Sequence, residues 1–253
     1  MTAAAGRPVV FVDADNTLWD TDGVFAQAQL AMLTAVERAI GRSLEKDSDR
    51  LAFIRSVDQA IAASHHDGLR YPPKLLVEAT ARALMGRAPA RAAREAERGG
   101  QDKLIADAAA DVIVGAFFEA LRATPALREG VPEGLARLEA AGCSVLIVTE
   151  AKADKVEATA ATLGLAGHFD RVIEGRKRPE LYHRILKLVG SPARAFMIGD
   201  QLDRDIAPAK SAGLGTIYFP GGFAPSWQMS EGEARPDHRI SSFAEVPALV
   251  LVS

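Results

Sequence analysis

Two hydrophobic patterns share this chain. Short runs in which every position is apolar or β-branched occur at residues 9–12, 145–148, 172–173, 196–198 and 216–219, each followed by a polar residue, proline or glycine. A run without alternation suits a strand buried on both faces, and the stretches between such runs supply the covering helices. Helices predicted over 132–141, 153–163, 179–189 and 205–212 stop at Gly142, Gly164, Gly190 and Gly213, where a left-handed capping residue belongs. This order of elements predicts an α/β fold: a doubly wound, Rossmann-like parallel sheet.

Residues 20–125 follow the second pattern. No strand-like run occurs there, and Phe25, Ala28, Met32, Val36 and Ile40 recur at helical spacing. The pattern predicts helices near 22–40, 47–63, 73–85, 89–98 and 103–123, broken at Gly41, Gly86 and Gly99-Gly100, with Tyr71-Pro72-Pro73 as a rigid turn. The expected organisation is therefore an α/β core of residues 1–19 and 126–253, with an all-helical block, 20–125, inserted after the first strand. Arg87, Arg91, Arg94 and Arg98 form one helical stripe. A solvated face is its plain reading, and attraction of an anionic substrate or partner the sharper one.

Composition narrows the classes. The chain has 253 residues, room for one large domain or two modest ones at roughly 150 residues each. It is 48% hydrophobic and 25% charged, and its net charge of −3 makes no case for a nucleic-acid partner. A single cysteine, Cys143, excludes an internal disulfide and a multi-cysteine metal site; it reads as a packing residue in a reducing compartment. Residues 1–8 carry no apolar segment of a secretory signal, and no stretch approaches ~18 apolar residues, so a cytoplasmic protein without membrane spans is expected. Neither a Gly-x-Gly-x-x-Gly nor a Gly-Lys-Ser/Thr sequence occurs.

In an open parallel sheet, ligands bind beyond the carboxyl ends of the strands. The residues there are Asp13, Asp15, Thr149, Lys177, Asp200 and Asp205. Carboxylates for a hard cation, one hydroxyl and one ammonium suit a phosphoryl group neutralised from two sides. Asp13 and Asp15, two apart in an extended segment, project to one side. Their proximity is expected to raise one pKa, dividing them into an ionised nucleophile and a protonated general acid. Asn16 takes a turn position at which asparagine tolerates positive φ. His65 and His66 diverge by about 100° on a helix and do not share a metal. Trp19 and residues 71–74 either line a substrate cleft or serve as core and turn, and Gly221-Gly222 reads as a loop.

Asp13-Ala14-Asp15-Asn16-Thr17 resembles the first signature of the haloacid dehalogenase superfamily, Asp-x-Asp-x-Thr at the end of the first strand. Thr149 resembles its second motif, Lys177 its third, and Gly199-Asp200 with Asp205 its acidic fourth, all in the family's order. The block at 20–125 resembles the family's α-helical cap. The resemblance implies a Mg²⁺-dependent phosphatase that hydrolyses a small phosphorylated metabolite. Asp13 would attack phosphorus to form an aspartyl-phosphate, and Asp15 would protonate the departing alkoxide and then activate water. Mg²⁺ would be held by the Asp13 and Asp200 carboxylates and the Asp15 carbonyl, with Asp205 keeping that shell or Lys177 in place. The phosphate site would comprise Thr149, Glu150, Lys177 and Asn16. Arg178 is the alternative to Lys177, and Asp203 to Asp205; a Glu150 carboxylate repels phosphate unless it turns away. An alkoxide needs an acid and a halide does not, so Asp15 favours phosphate monoesters over 2-haloacids. A phosphomutase uses the same aspartates, and a non-catalytic binding protein is the remaining alternative. A monomer or homodimer is expected, without nucleic acid or membrane.

Overall fold

The computed structural model describes residues 8–65, 71–99 and 102–251. Residues 1–7, His66 and Gly100, which enter the expectations above, lie outside the described residues. The chain divides into two compact units, Met1–Asp22 with Thr124–Ser253, and Gly23–Ala123.

The first unit is built on six parallel strands: β1 (Val9–Val12), β2 (Ser144–Thr149), β3 (Arg171–Glu174), β4 (Ala195–Gly199), β5 (Gly215–Tyr218) and β6 (His238–Arg239). Their order is β3-β2-β1-β4-β5-β6. The helices, in chain order, are α1 (Thr21–Ile40), α2 (Arg50–Ala62), α3 (Pro73–Leu84), α4 (Pro89–Arg98), α5 (Asp107–Ala120), α6 (Val131–Ala140), α7 (Ala153–Thr162), α8 (Pro179–Leu188), α9 (Ala207–Ser211), α10 (Glu231–Ala234) and α11 (Val246–Val250).

Every residue of β1 is buried, as the uninterrupted apolar run demands. Because side chains alternate across a strand, β1 feeds two cores. Val10 and Val12 join Ile147, Ile198 and the α6 residues Leu135 and Leu138 on one face. Val9 and Phe11 join Leu146, Val148, Met197 and the α8 residues Tyr182 and Ile185 on the other. Register is flush: Val12 lies opposite both Ile147 of β2 and Ile198 of β4. The sheet therefore ends level, and β1 is the strand from which the chain winds outward in both directions, the point at which α/β sheets bind ligands.

The chain leaves this unit and returns to it side by side. Trp19 bridges to Leu127, Asp20 N–H donates to the Ala126 carbonyl at 2.8 Å, and Arg128 N–H to the Leu18 carbonyl at 3.0 Å.

Among the described residues the second unit is all-helical. Met32, Leu33 and Val36 of α1 meet Ile54, Val57 and Ile61 of α2, Leu76 of α3 and Phe117 of α5. Phe25 stands edge-on to Phe117, ring centroids 5.9 Å apart. The buried Glu37 carboxylate takes both terminal nitrogens of Arg50 at 2.8 Å. On α4 the alanines Ala92, Ala93 and Ala96 are buried, whereas Arg91 is exposed and pairs with Glu95 at 2.7 Å.

Boundaries depart from the expected ones for local reasons. Helix α2 starts at Arg50 rather than 47 because the Asp49 side chain accepts from Ala52 N–H and caps it. Helix α5 starts at Asp107 rather than 103. The predicted 205–212 helix is a π-turn, Leu202–Ile206, followed by α9. Strand β6 has two residues and leaves no periodic trace. Among the described residues no helix is long and apolar enough to cross a membrane.

Candidate active site

The site is assembled at the level carboxyl ends of β1, β2 and β4. Asp13 follows β1 directly and donates its N–H to the Ile198 carbonyl at 2.9 Å, which fixes it beside β4. Thr149 ends β2, and Asp200 follows β4. Asp13, Asp200 and Asp205 are buried, with one carboxylate oxygen from each lying within 4.8 Å of the others.

Asp205 reaches this group by way of the π-turn, a local widening of the kind that recurs at functional sites. Its N–H donates to the Gln201 carbonyl at 2.8 Å, and its Oδ2 accepts Gln201 N–H at 3.0 Å, so the side chain caps the turn that carries it. Gly199 makes room: a Cβ there would fall 2.3 Å from the Asp205 carboxyl carbon. Asp203 on the same turn is exposed, and Asp205 holds the buried position.

Lys177 enters from the loop after β3. Its ammonium lies 2.5 Å from Asp13 Oδ1 and 2.6 Å from Asp205 Oδ1, whereas Arg178 is exposed. Burial opposes the Lys177 charge, but the two carboxylates outweigh it and hold the ammonium protonated above its ordinary range. Burial pushes Asp13 up to about 7, Lys177 opposes that rise, and the charges of Asp205 and Asp15 add to it. Asp200 is likewise raised, first by burial and then by Asp205 and Asp13. Three buried carboxylates facing one ammonium leave surplus negative charge where water cannot screen it. Moreover, Asp200 Oδ1 is buried and takes no hydrogen bond. An all-oxygen set with surplus charge and an unpartnered carboxylate oxygen fits a hard divalent cation such as Mg²⁺.

The Asp15 carboxylate stands apart from that cluster, as a residue expected to offer a metal only its backbone carbonyl can. Its Oδ1 accepts from Trp19 Nε1 at 3.0 Å and from Thr21 Oγ1 at 2.6 Å. Asp13, and not Asp15, sits among the buried acids. Trp19, 2% exposed, is a support for Asp15 and not a cleft wall.

Asn16 adopts φ 59°. Its Oδ1 accepts Asp22 N–H at 2.8 Å, which ties its side chain into the turn. Thr149 Oγ1 accepts Ala151 N–H at 3.0 Å, which leaves its proton to be donated elsewhere. Glu150 turns away from the cluster: its oxygens accept Lys177 N–H at 2.9 Å and Arg204 Nη1 at 3.3 Å. That arrangement corrects its assignment as a phosphate ligand and makes it a brace for the Lys177 backbone. His65 pairs with Glu97 at 3.4 Å, and the Tyr71 hydroxyl donates to Asp58, both within the helical unit. Cys143 packs against the sheet core, as a packing residue should.

Sequence reading missed Arg128. Its guanidinium donates to the Asn16 and Pro220 carbonyls, partners that no local spacing announces.

A family model described as haloacid dehalogenase-like hydrolase matches residues 8–213. A phosphoserine phosphatase of Thermus thermophilus is 30% identical over 138 residues, 52% of this chain and 53% of that protein. A ribulose-1,5-bisphosphate 5-phosphatase of Halopiger xanaduensis is 28% identical over 151 residues, 55% of this chain and 62% of that one. The chain thus spans little more than half the length of these curated relatives. Among solved structures, a haloacid dehalogenase-like family hydrolase from Xanthomonas campestris shares the fold with a TM-score of 0.61 and 21% identity, covering 98% of this chain and 96% of its own.

Proposed function

The chain belongs to the haloacid dehalogenase-like hydrolases, and from that premise we propose that it is a Mg²⁺-dependent phosphatase of small phosphate monoesters. The observation that carries this reading is the buried Asp13–Lys177–Asp205 arrangement beside Asp200, with Asp15 two residues beyond Asp13. The two relatives' names, both phosphatases of small phosphorylated molecules, point to the same substrate class.

Mg²⁺ would be held by the Asp13 and Asp200 carboxylates and the Asp15 carbonyl. When bound it supplies charge neutralisation for the phosphoryl oxygens and for the crowded carboxylates.

The remaining work falls to the chain. Asp13 attacks phosphorus, forming a phosphorus–oxygen bond as the bond to the substrate alkoxide breaks, and Asp15 gives that alkoxide its proton. Asp15, its carboxylate oriented by Trp19 and Thr21, then takes a proton from water. That water attacks the phosphorus of the aspartyl-phosphate, and inorganic phosphate and the Asp13 carboxylate are released. Lys177 opposes the burial-driven rise of the Asp13 pKa and faces the phosphoryl oxygens, while Thr149 donates its hydroxyl to them. Asp205 holds Lys177 in place.

Purified protein with Mg²⁺ should release phosphate from p-nitrophenyl phosphate, and Asp13→Asn should reduce release to background. Absence of release by the unmodified protein, or full turnover by Asp13→Asn, would refute the reading. A panel of phosphorylated hydroxy acids, amino acids and sugars would then identify the substrate.

A further inference from the structure

Resting on the phosphatase reading, we infer that Arg128 is a positioning residue that sets the affinity of the Mg²⁺ site by stapling together the two segments flanking Asp200.

Strand β4, which carries Asp200 at its end, lies between β1 and β5. Arg128 spans both flanks. One guanidinium nitrogen donates to the carbonyl of Asn16, in the turn after β1. The other donates to the Pro220 carbonyl, in the loop after β5, at 2.7 Å. The guanidinium lies over the Phe219 ring, 3.9 Å from its centroid, and Phe219 is fully buried, so the fork rests on a fixed platform.

Both anchored carbonyls belong to segments that touch the site. Asn16 follows Asp15, whose carbonyl is a proposed ligand, and its left-handed conformation persists because its surroundings dictate it. Those surroundings include its N–H to the Trp19 carbonyl at 2.7 Å, its Oδ1 from Asp22, and the Arg128 fork. Pro220 precedes Gly221, where an added Cβ would meet Asp200 Oδ2 at 3.2 Å, Asn16 Cβ at 3.5 Å and Asp22 Oδ2 at 3.5 Å. Asp22 Oδ2 in turn accepts Phe223 N–H at 3.1 Å. The β5 loop therefore walls the carboxylate whose other oxygen is unpartnered, and Arg128 locks that wall to the Asn16 turn.

A lysine would retain the charge near Asp200, Asp20 and Asp22, which act on Arg128 electrostatically. It cannot reproduce a planar fork that reaches two carbonyls while stacked on a ring. Arg128→Lys thus separates positioning from charge.

The test titrates Mg²⁺ into unmodified protein, Arg128→Lys and Arg128→Ala by calorimetry. It also measures the Mg²⁺ dependence of p-nitrophenyl phosphate hydrolysis, with melting temperatures in parallel. Both variants should bind Mg²⁺ about 10-fold or more weakly, the cost typical of losing an outer support of a metal site. The substrate KM at saturating Mg²⁺ should stay within about twofold. Guanidinium at millimolar concentration should restore Mg²⁺ affinity to Arg128→Ala, and methylammonium should not. Unchanged Mg²⁺ affinity in Arg128→Lys overturns the inference, even if melting temperature falls, and leaves the phosphatase reading standing. Unmodified protein that binds no Mg²⁺ overturns both.

Discussion

Glu37 in the helical unit and Asp200 at the sheet end are carboxylates buried to almost the same degree, 6% and 5% exposed. Their surroundings are opposite. Glu37 has both oxygens on the Arg50 guanidinium and also accepts Leu44 N–H at 3.0 Å, and these donors hold its pKa below the ordinary value. Asp200 has one buried oxygen without a hydrogen bond and two acids as neighbours, and its pKa is raised. A buried acid provided with donors is a structural joint; one without them stores free energy that a cation releases. Burial alone does not distinguish them, but the count of donors does.

The widest separation between the two settings should come from Asp13→Asn and Glu37→Gln. The first should lose turnover to background while the metal-free protein melts no lower than the unmodified one, since a crowded buried charge has been removed. The second should keep turnover but lose about 1–3 kcal/mol of stability, read from urea unfolding. Equal loss of activity in both would end the distinction.

Gly199→Ala should come next. The new Cβ collides with the Asp205 carboxyl group, so overpacking should cost roughly 1–3 kcal/mol, with loss of activity as Lys177 shifts. An alanine variant with unmodified kcat would show that Asp205 does not fix the lysine.

Mg²⁺ should raise thermal stability, by about 2.7 kcal/mol at a concentration 100 times its Kd. Asp200→Asn should abolish that increment and Glu37→Gln should keep it; scanning calorimetry with and without Mg²⁺ decides.

The smallest effect is the acid response of Glu37. Its folded pKa lies below the ordinary 4.5 because Arg50 stabilises the carboxylate. Its contribution is therefore fully present above 4.5 and is lost as pH falls through the folded value. Urea midpoints measured from pH 6 to pH 3 should fall more steeply for unmodified protein than for Glu37→Gln.

The sheet was legible because strands buried on both faces write their burial as uninterrupted apolar runs, as at residues 9–12 and 145–148. The acids beyond those runs were legible because residues at strand ends converge wherever a parallel sheet ends level. What local pattern could not convey was orientation. The turning of Glu150 toward Arg204 depends on the π-turn, and the two Arg128 contacts join residues 112 and 92 positions apart. The widened turn itself was hidden because the residues from Leu202 to Ile206 carry an ordinary helical composition, and the Asp205 side chain, not periodicity, dictates its shape.

The insertion after β1 also has a kinetic consequence. Val9 pairs with Ser144 and with Ala195, so the central strand of the sheet emerges first during synthesis and waits for partners made much later. The helical unit lies wholly within that interval and is rich in nearby contacts, so it is the part able to order early. Its Phe25–Phe117 contact draws together the two ends of the insertion, shortening the effective loop between β1 and β2 roughly threefold and lowering its closure cost by about 1 kcal/mol. The inserted helices thereby act as a folding clamp for a sheet to which they contribute no strand.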